Sequence, residues 1–538
     1  MKKIISFLVL ILSLISCREE VRTYDDTQVF RYNEKDNITT LDPAFAKNEP
    51  IYWATNQLFN GLVVFDDKLN VEPCIAKSWE ISNENKTYQF TLRKDVYFHK
   101  NAVFGKDSTR TVTASDFEYS FTRLMDPKVA SSGRWVMQNV KSFKAINDSI
   151  FRIDLHQAFP PFLGLLSMQY CSVVPKEAIE FYGSEFRSNP VGTGPFQFKI
   201  WIENTKLVFR RNPLYFEKDE EGKQLPYLEA IAVTFYADKQ TEFMQFIQGK
   251  SDVLNDLHTS YKDELLSPIG SLLPKYQDKL LLDKSPYLIT EYIAFFMEGQ
   301  TVDNHPYIRK AINCGFDRAK MLRYLRNNIG QPATGFIPKG LPSYYGDTLQ
   351  TYYPEKAKTY IEKYKQETGD EHPTVKIATN SSYTDLFEFI QRELQGVGLT
   401  IELDILPSPV LRQKKANGNL LTFRVGWIAD YPDAENFLSL FYSKNFSPQG
   451  PNYSHYSNPE YDKFYEESLA LTDRQKRIEV YKKMDSIINV EVPVVSLFYD
   501  EIVRFKHKNV KGLTTNPTNL LNLKKVYKTK KNGKPFVE

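Results

Sequence analysis

The chain has 538 residues, 69 of them basic and 66 acidic, for a formal net charge of +3. That length suits two to three domains of ~150 residues each, and the near-neutral balance speaks against a nucleic-acid binder, which carries a clear basic surplus. Aromatic residues make up 14% of the chain, with 33 Tyr and 37 Phe, enough to fill large cores and to line an extended groove.

The N-terminus reads Met1-Lys2-Lys3, then an apolar run over residues 4–15, then Ser16-Cys17. A spanning helix needs ~20 apolar residues, so this shorter run fits an export signal. Leu14-Ile15-Ser16-Cys17 resembles the lipobox of bacterial lipoproteins. That resemblance implies that residues 1–16 are a lipoprotein signal peptide and that Cys17 is acylated, so the body is anchored to a membrane without crossing it. Charged and polar residues follow, a solvated tether over residues 17–23 leading to the first strand.

A strand pattern begins at Gln28-Val-Phe-Arg-Tyr-Asn33. Thr87-Tyr-Gln-Phe-Thr-Leu-Arg93 alternates apolar and polar residues as a half-buried strand does. Thr113-Ala-Ser-Asp opens a helix with a capping pattern, and residues 101–110 before it read as an exposed loop. In the second half, Val375-Lys-Ile-Ala-Thr379 is a strand, residues 383–395 place Leu386, Phe387, Ile390 and Leu394 on one helical face, and Thr400-Ile-Glu-Leu-Asp-Ile405 is a strand again. That βαβ order predicts a parallel pair in an α/β lobe. An amphipathic helix near residues 474–489 and a strand at 492–499 close the pattern.

Enzyme signatures are missing. The seven His are scattered without metal-ligand spacing, and no phosphate loop or Gly-x-Ser-x-Gly elbow occurs. No metal, cofactor or catalytic residue is assigned. Cys74, Cys171 and Cys314 make neither a disulfide framework nor a metal cluster. They read as small buried thiols, Cys74 and Cys171 pairing only if the fold brings them together.

One stretch carries chemistry. The apolar residues 420–423 lead through Gly426 and Trp427 to Asp430, just before a Tyr431-Pro432 turn signal. A glycine, an aromatic and an acid at a strand end could hold a cation against an apolar wall. The plain alternative is a strand followed by an Asp-containing turn.

Leu41-Asp42-Pro43, Asn60-Gly61-Leu62, Ile75-Ala-Lys-Ser-Trp79, Phe90-Thr-Leu-Arg-Lys-Asp95, Val173-Val-Pro-Lys, Val191-Gly-Thr-Gly-Pro-Phe196 and His305-Pro-Tyr-Ile-Arg309 occur in one order. Together they resemble the family 5 extracellular solute-binding proteins, the oligopeptide- and dipeptide-binding proteins of ABC importers. The resemblance implies an α/β, two-lobed periplasmic-binding-protein fold of type II, with a hinge and an extra domain inserted in the first lobe. It places lobe I at residues 24–58, 186–283 and 503–538, the extra domain at 59–185 and lobe II at 284–502.

It also implies a monomer that holds a short peptide between its lobes and hands it to ABC-transporter permease subunits. Asp430 would meet the peptide's α-amine, with Trp427, Gly426 and Tyr431 around it. Arg424 would meet a peptide carboxylate or serve as a salt-bridged structural arginine. Tyr287 and Tyr292 would line the cleft on a crossover strand, or fill the core. Glu49 falls in a first-lobe loop facing the ligand, where a solvated surface acid is the alternative. Within the same fold the alternatives are another solute (a nickel chelate, haem or an oligosaccharide) or a surface adhesin or chaperone-like protein without transport. Pro407-Ser408-Pro409 stands where oligopeptide-binding relatives place an aromatic, so their pocket shapes do not carry over there.

Overall fold

The computed structural model describes residues 28–530 except 257, 259, 260, 342, 345 and 347–351. The expected signal peptide, Cys17 and the tether lie outside the described residues. Two lobes are built around separate sheets. The chain starts with strand β1 (Val29–Glu34) and helix α1 (Glu49–Leu58). Asn48 caps α1 by accepting the Ile51 N–H at 3.3 Å, Pro50 sits in its first turn, and its inner face buries Ile51, Trp53, Ala54 and Leu58.

An antiparallel sheet follows, with strands β2 (Ala76–Ser82), β3 (Thr87–Leu92), β4 (Val140–Asn147) and β5 (Ile150–Leu155) in the order β2-β3-β5-β4. Helix α2 (Ala114–Met125) packs on it and opens with the expected capping box, Thr113 with Asp116. The segment expected as an exposed loop contains a 3-10 turn, Ala102–Asp107, next to Arg110, whose guanidinium binds both Asp116 and Glu177 at 2.7 Å.

The chain then returns to β1. Strands β6 (Phe196–Ile202), β7 (Lys206–Arg211) and β8 (Ala230–Phe235) complete the order β1-β8-β7-β6, with β1 parallel to β8. The Val191–Phe196 motif passes hard against the end of α1. A Cβ at Gly194 would lie 2.5 Å from the Gln57 carbonyl oxygen, so only glycine fits. Both sheets and α1 share one continuous core.

The second lobe holds most of a seven-stranded sheet. Its main members are β9 (Val253–Asn255), β10 (Leu280–Phe295), β11 (Thr374–Thr379), β12 (Thr400–Ile405), β13 (Thr422–Ile428) and β14 (Val494–His507), in the order β9-β14-β10-β13-β11-β12. β11 and β12 run parallel, joined through helix α3 (Thr384–Gln395), as the βαβ pattern predicts. Side chains alternate across this sheet, so Ile293 and Phe295 fill one core and Tyr292 and Ala294 the other.

Strands β10 and β14 run between the lobes. Residues 280–286 of β10 pair with 501–507 of β14, beside β9, whose neighbour Asp252 donates its N–H to the Arg31 carbonyl at 2.8 Å. Residues 290–294 pair with 494–499, beside β13. The register shifts between Pro286 and Thr290, leaving Tyr287 at the break. Cys74, Cys171 and Cys314 are all buried free thiols.

Asp42 of the Leu-Asp-Pro motif ties the first lobe to α2. Its carboxylate receives both Arg123 Nη atoms, at 2.5 and 3.0 Å, with side chains only 5% and 13% exposed. It also accepts the Ala44 N–H at 3.1 Å. Removing one partner of such a pair strands a buried charge. Arg123→Ala should therefore lower stability by ~3–5 kcal/mol, read from urea midpoints, while the double replacement Asp42→Asn with Arg123→Met should lose much less.

Candidate ligand-binding cleft

A cavity of about 460 Å³ lies between the lobes. Its walls come from α1 and the preceding turn, from the loop at 167–170 of the inserted region, from the end of β13, and from residues 518–520 near the C-terminus. Tyr287, at the break in the crossing strands, lies on the floor they provide. Asp430, Glu49 and Tyr287 all line this one space.

Asp430 is delivered by the end of β13 and fixed by Asn436. The Asn436 Oδ1 accepts the Asp430 N–H at 3.1 Å and the Trp427 Nε1–H at 2.9 Å. The strand end is held in turn by the crossing strand, since the Ala429 N–H donates to the Leu288 carbonyl at 2.8 Å. Trp427 is thus a half-buried support behind the acid, and it does not border the cavity. Asp430 opens onto the cavity, yet the surrounding walls displace enough water that burial raises its carboxyl above the ordinary value. Burial likewise raises Glu49, against the bond that its Oε2 accepts from Asn519 Nδ2 at 3.0 Å. Neither carboxylate has an ion-pair partner among the described residues. Tyr52 and Tyr287 add aromatic faces, both hydroxyls pushed up chiefly by burial. One exposed lysine, Lys47, stands against two carboxylates and three tyrosines, Tyr52, Tyr170 and Tyr287, so negative charge and aromatic faces prevail in the lining.

The remaining expected residues lie elsewhere. Arg424 is bound to Glu291, Nη2 to Oε2 at 2.5 Å, with side chains 15% and 1% exposed, and its guanidinium stacks 3.6 Å from the centre of the Tyr383 ring. Gly426 serves that pair. A Cβ there would lie 2.6 Å from Glu291 Oε1, so the glycine lets the buried carboxylate pass. Tyr292 is 3% exposed and packs edge-on against Phe336 at 4.9 Å, on the core face that its strand parity dictates. Tyr431 is buried, donates to Glu435, and sets its ring edge against Phe159 of the inserted region at 6.3 Å. Burial pushes Glu435 up to about 7, and Tyr465 donates to it as well.

Sequence reasoning missed Asn436, Asn519, Tyr52 and the 167–170 loop. Asn436 lies only six residues past Asp430, but nothing local says that its side chain turns back to it. Asn519 stands in a polar C-terminal loop 470 residues from Glu49. Among the described residues no cluster of side chains could hold a metal ion, and no helix is long and apolar enough to cross a membrane.

Residues 70–449 match the model of bacterial extracellular solute-binding proteins, family 5. The glutathione-binding protein GsiB of Escherichia coli O6:K15:H31 is 24% identical over 487 residues, covering 89% of this chain and 91% of the relative. A probable di/tripeptide-binding protein 5 of Pseudomonas aeruginosa is 26% identical over 490 residues, covering 86% and 88%. The solved structure of the ABC transporter-associated periplasmic binding protein DppA of Helicobacter pylori, in complex with the peptide STSA, superimposes with a TM-score of 0.76 at 25% identity, covering 93% of this chain and 98% of that one. The fold is the two-lobed type II form, and the chain belongs to the family 5 bacterial extracellular solute-binding proteins.

Proposed function

We propose that this protein captures short peptides by their free α-amine in the interlobe cleft and delivers them to the permease of an ABC importer. The observation that carries this reading is Asp430, a carboxylate without an ionic partner among the described residues, opening onto a cavity with an aromatic floor. The relatives named for glutathione and di/tripeptides, and the structural neighbour holding STSA, support the ligand class. A peptide's ammonium leaving water needs a fixed opposite charge, and the cleft supplies one from a strand end braced by Asn436.

The proposed boundaries put lobe I at 24–58, 186–283 and 503–538, the inserted region at 59–185 and lobe II at 284–502, close to where β10 and β14 exchange neighbours. Ligand contacts to both lobes favour the closed arrangement, which the permease then recognises. The protein works as a lipid-anchored monomer, its acyl chains on Cys17, on the strength of the basic start, apolar run and Leu-Ile-Ser-Cys of residues 1–17.

Two measurements test the reading. Calorimetry with di- to hexapeptides should show binding that Asp430→Ala weakens by about two orders of magnitude or more, the scale of leaving one member of a desolvated charge pair alone. N-acetylation of the peptide should weaken it similarly, and equal binding of free and acetylated peptides would sink the assignment.

The second is pH dependence. Burial raises Asp430 in the free protein, and a bound ammonium favours its ionised form. Affinity should therefore fall as pH drops through a value above the ordinary ~3.9 of an aspartate, and Asp430→Asn should flatten that slope.

A further inference from the structure

Beyond Glu49 and Tyr287 the cleft continues into a second compartment of about 200 Å³, which shares Glu49, Trp53, Tyr287 and Asn519 with the first. Its far wall is the end of β1, β9 and the middle of β14. Carboxylates dominate it, and most are answered. Glu242 pairs with Lys239 at 2.7 Å, Asp500 with Arg326 at 2.5 Å, and Glu501 accepts the Gly330 N–H at 3.0 Å.

Glu34 is different. It is only 6% exposed and lines the compartment, and no hydrogen bond or ion pair reaches its side chain among the described residues, its Oε1 being closed off from solvent as well. The neighbouring Lys35 is exposed and makes no ion pair with it among the described residues. Buried polar groups are nearly always satisfied, so a carboxylate at the edge of a cavity with no donor from its own chain is open to one from outside. Glu49, on the shared edge, is also without an ionic partner among the described residues and extends the negative surface from Asp430 to Glu34.

We infer that this compartment is a subsite for the basic side chain of the bound peptide, a lysine or arginine whose charged end meets Glu34 after passing Tyr287 and Glu49. The inference rests on the peptide reading above and adds a specificity to it. A flexible arm ending in an ammonium or guanidinium supplies several donors and an apolar stem, matching a tyrosine and a tryptophan at the entrance and a carboxylate at the end. A free N-terminal amine alone cannot occupy both Asp430 and Glu34, because they line different compartments.

The test is calorimetry on the soluble protein with trialanine and with tripeptides carrying lysine, or its uncharged isostere norleucine, at position 1, 2 or 3. At one position at least, lysine should bind about tenfold more tightly than norleucine or better, and Glu34→Gln should collapse that ratio towards one. The lysine–norleucine comparison on the unmodified sequence needs no variant, so a poorly folding Glu34→Gln protein does not remove the test. Equal affinities at all three positions, with trialanine bound, overturn this inference alone. No binding by any of these peptides overturns the peptide reading and this inference with it. Binding of cadaverine alone as tightly as the best lysyl peptide overturns the assignment to a peptide side chain. Calcium binding that Glu34→Gln abolishes overturns it in favour of a metal site.

Discussion

The molecule depends on two antiparallel strands that change neighbours halfway along. β10 and β14 are bonded to one lobe's edge strand at one end and to the other lobe's sheet at the opposite end. Such a pair resists stretching and shear through its ladder but bends where the ladder is interrupted, and the longer of its two interruptions falls between Pro286 and Thr290. That position sets the geometry of the cleft. Tyr287 sits in the gap, Leu288 holds the Asp430 strand end through Ala429, and the facing stretch 500–503 of β14 lines the second compartment. A hinge that also forms the floor of the binding site keeps the lobe-to-lobe angle and the ligand contacts in one mechanical unit.

Buried charge is handled differently inside and outside that unit. Away from the cleft, buried ionisable groups are answered either by ion pairs, as Asp42 is by Arg123, Arg424 by Glu291 and Lys528 by Asp252 at 2.9 Å, or by hydrogen bonds alone, as Glu435 is by Tyr431 and Tyr465. In the cleft, Asp430, Glu49 and Glu34 have no such partner among the described residues, and all three are pushed above their ordinary values, by burial first. Holding a buried carboxylate such as Glu34 without a counter-ion costs stability. On the proposed reading, these three are kept open for a cation that comes and goes.

Legibility in the sequence followed distance along the chain. Strand β12 and helix α3 depend on periodicities within a dozen residues, and the expected bounds meet the observed ones to within a residue. Asp430 was readable because a strand end and a turn signal are local too. Arg424 shows the limit. Its place in the motif is plain, but its partner Glu291 lies 133 residues away on another strand, and only the folded sheet shows the two together. Tyr292 needed its parity on β10, and β10 cannot be phased without knowing where its ladder breaks. The strand expected at 492–499 stops short of Asp500-Glu501. In the fold it runs on to His507, and those two acids sit at the hinge, bonded to Arg326 and Gly330.

The placement of the open carboxylates bears on how the cleft responds to ligand. Asp430 belongs to the lobe carrying β13, whereas Glu49 and Glu34 belong to the lobe carrying α1 and β1. Bringing like charges together in a space that excludes water is unfavourable, and the penalty grows as the walls approach. Without a cation the electrostatics oppose closure. A ligand that places positive charge between the walls reverses the sign of that interaction and adds contacts to both lobes, so its affinity for the closed arrangement exceeds that for the open one. A difference in affinity between two states is the only way a ligand can shift their populations. On the proposed reading, the carboxylates that draw a cation into the cleft therefore also make its closing conditional on one.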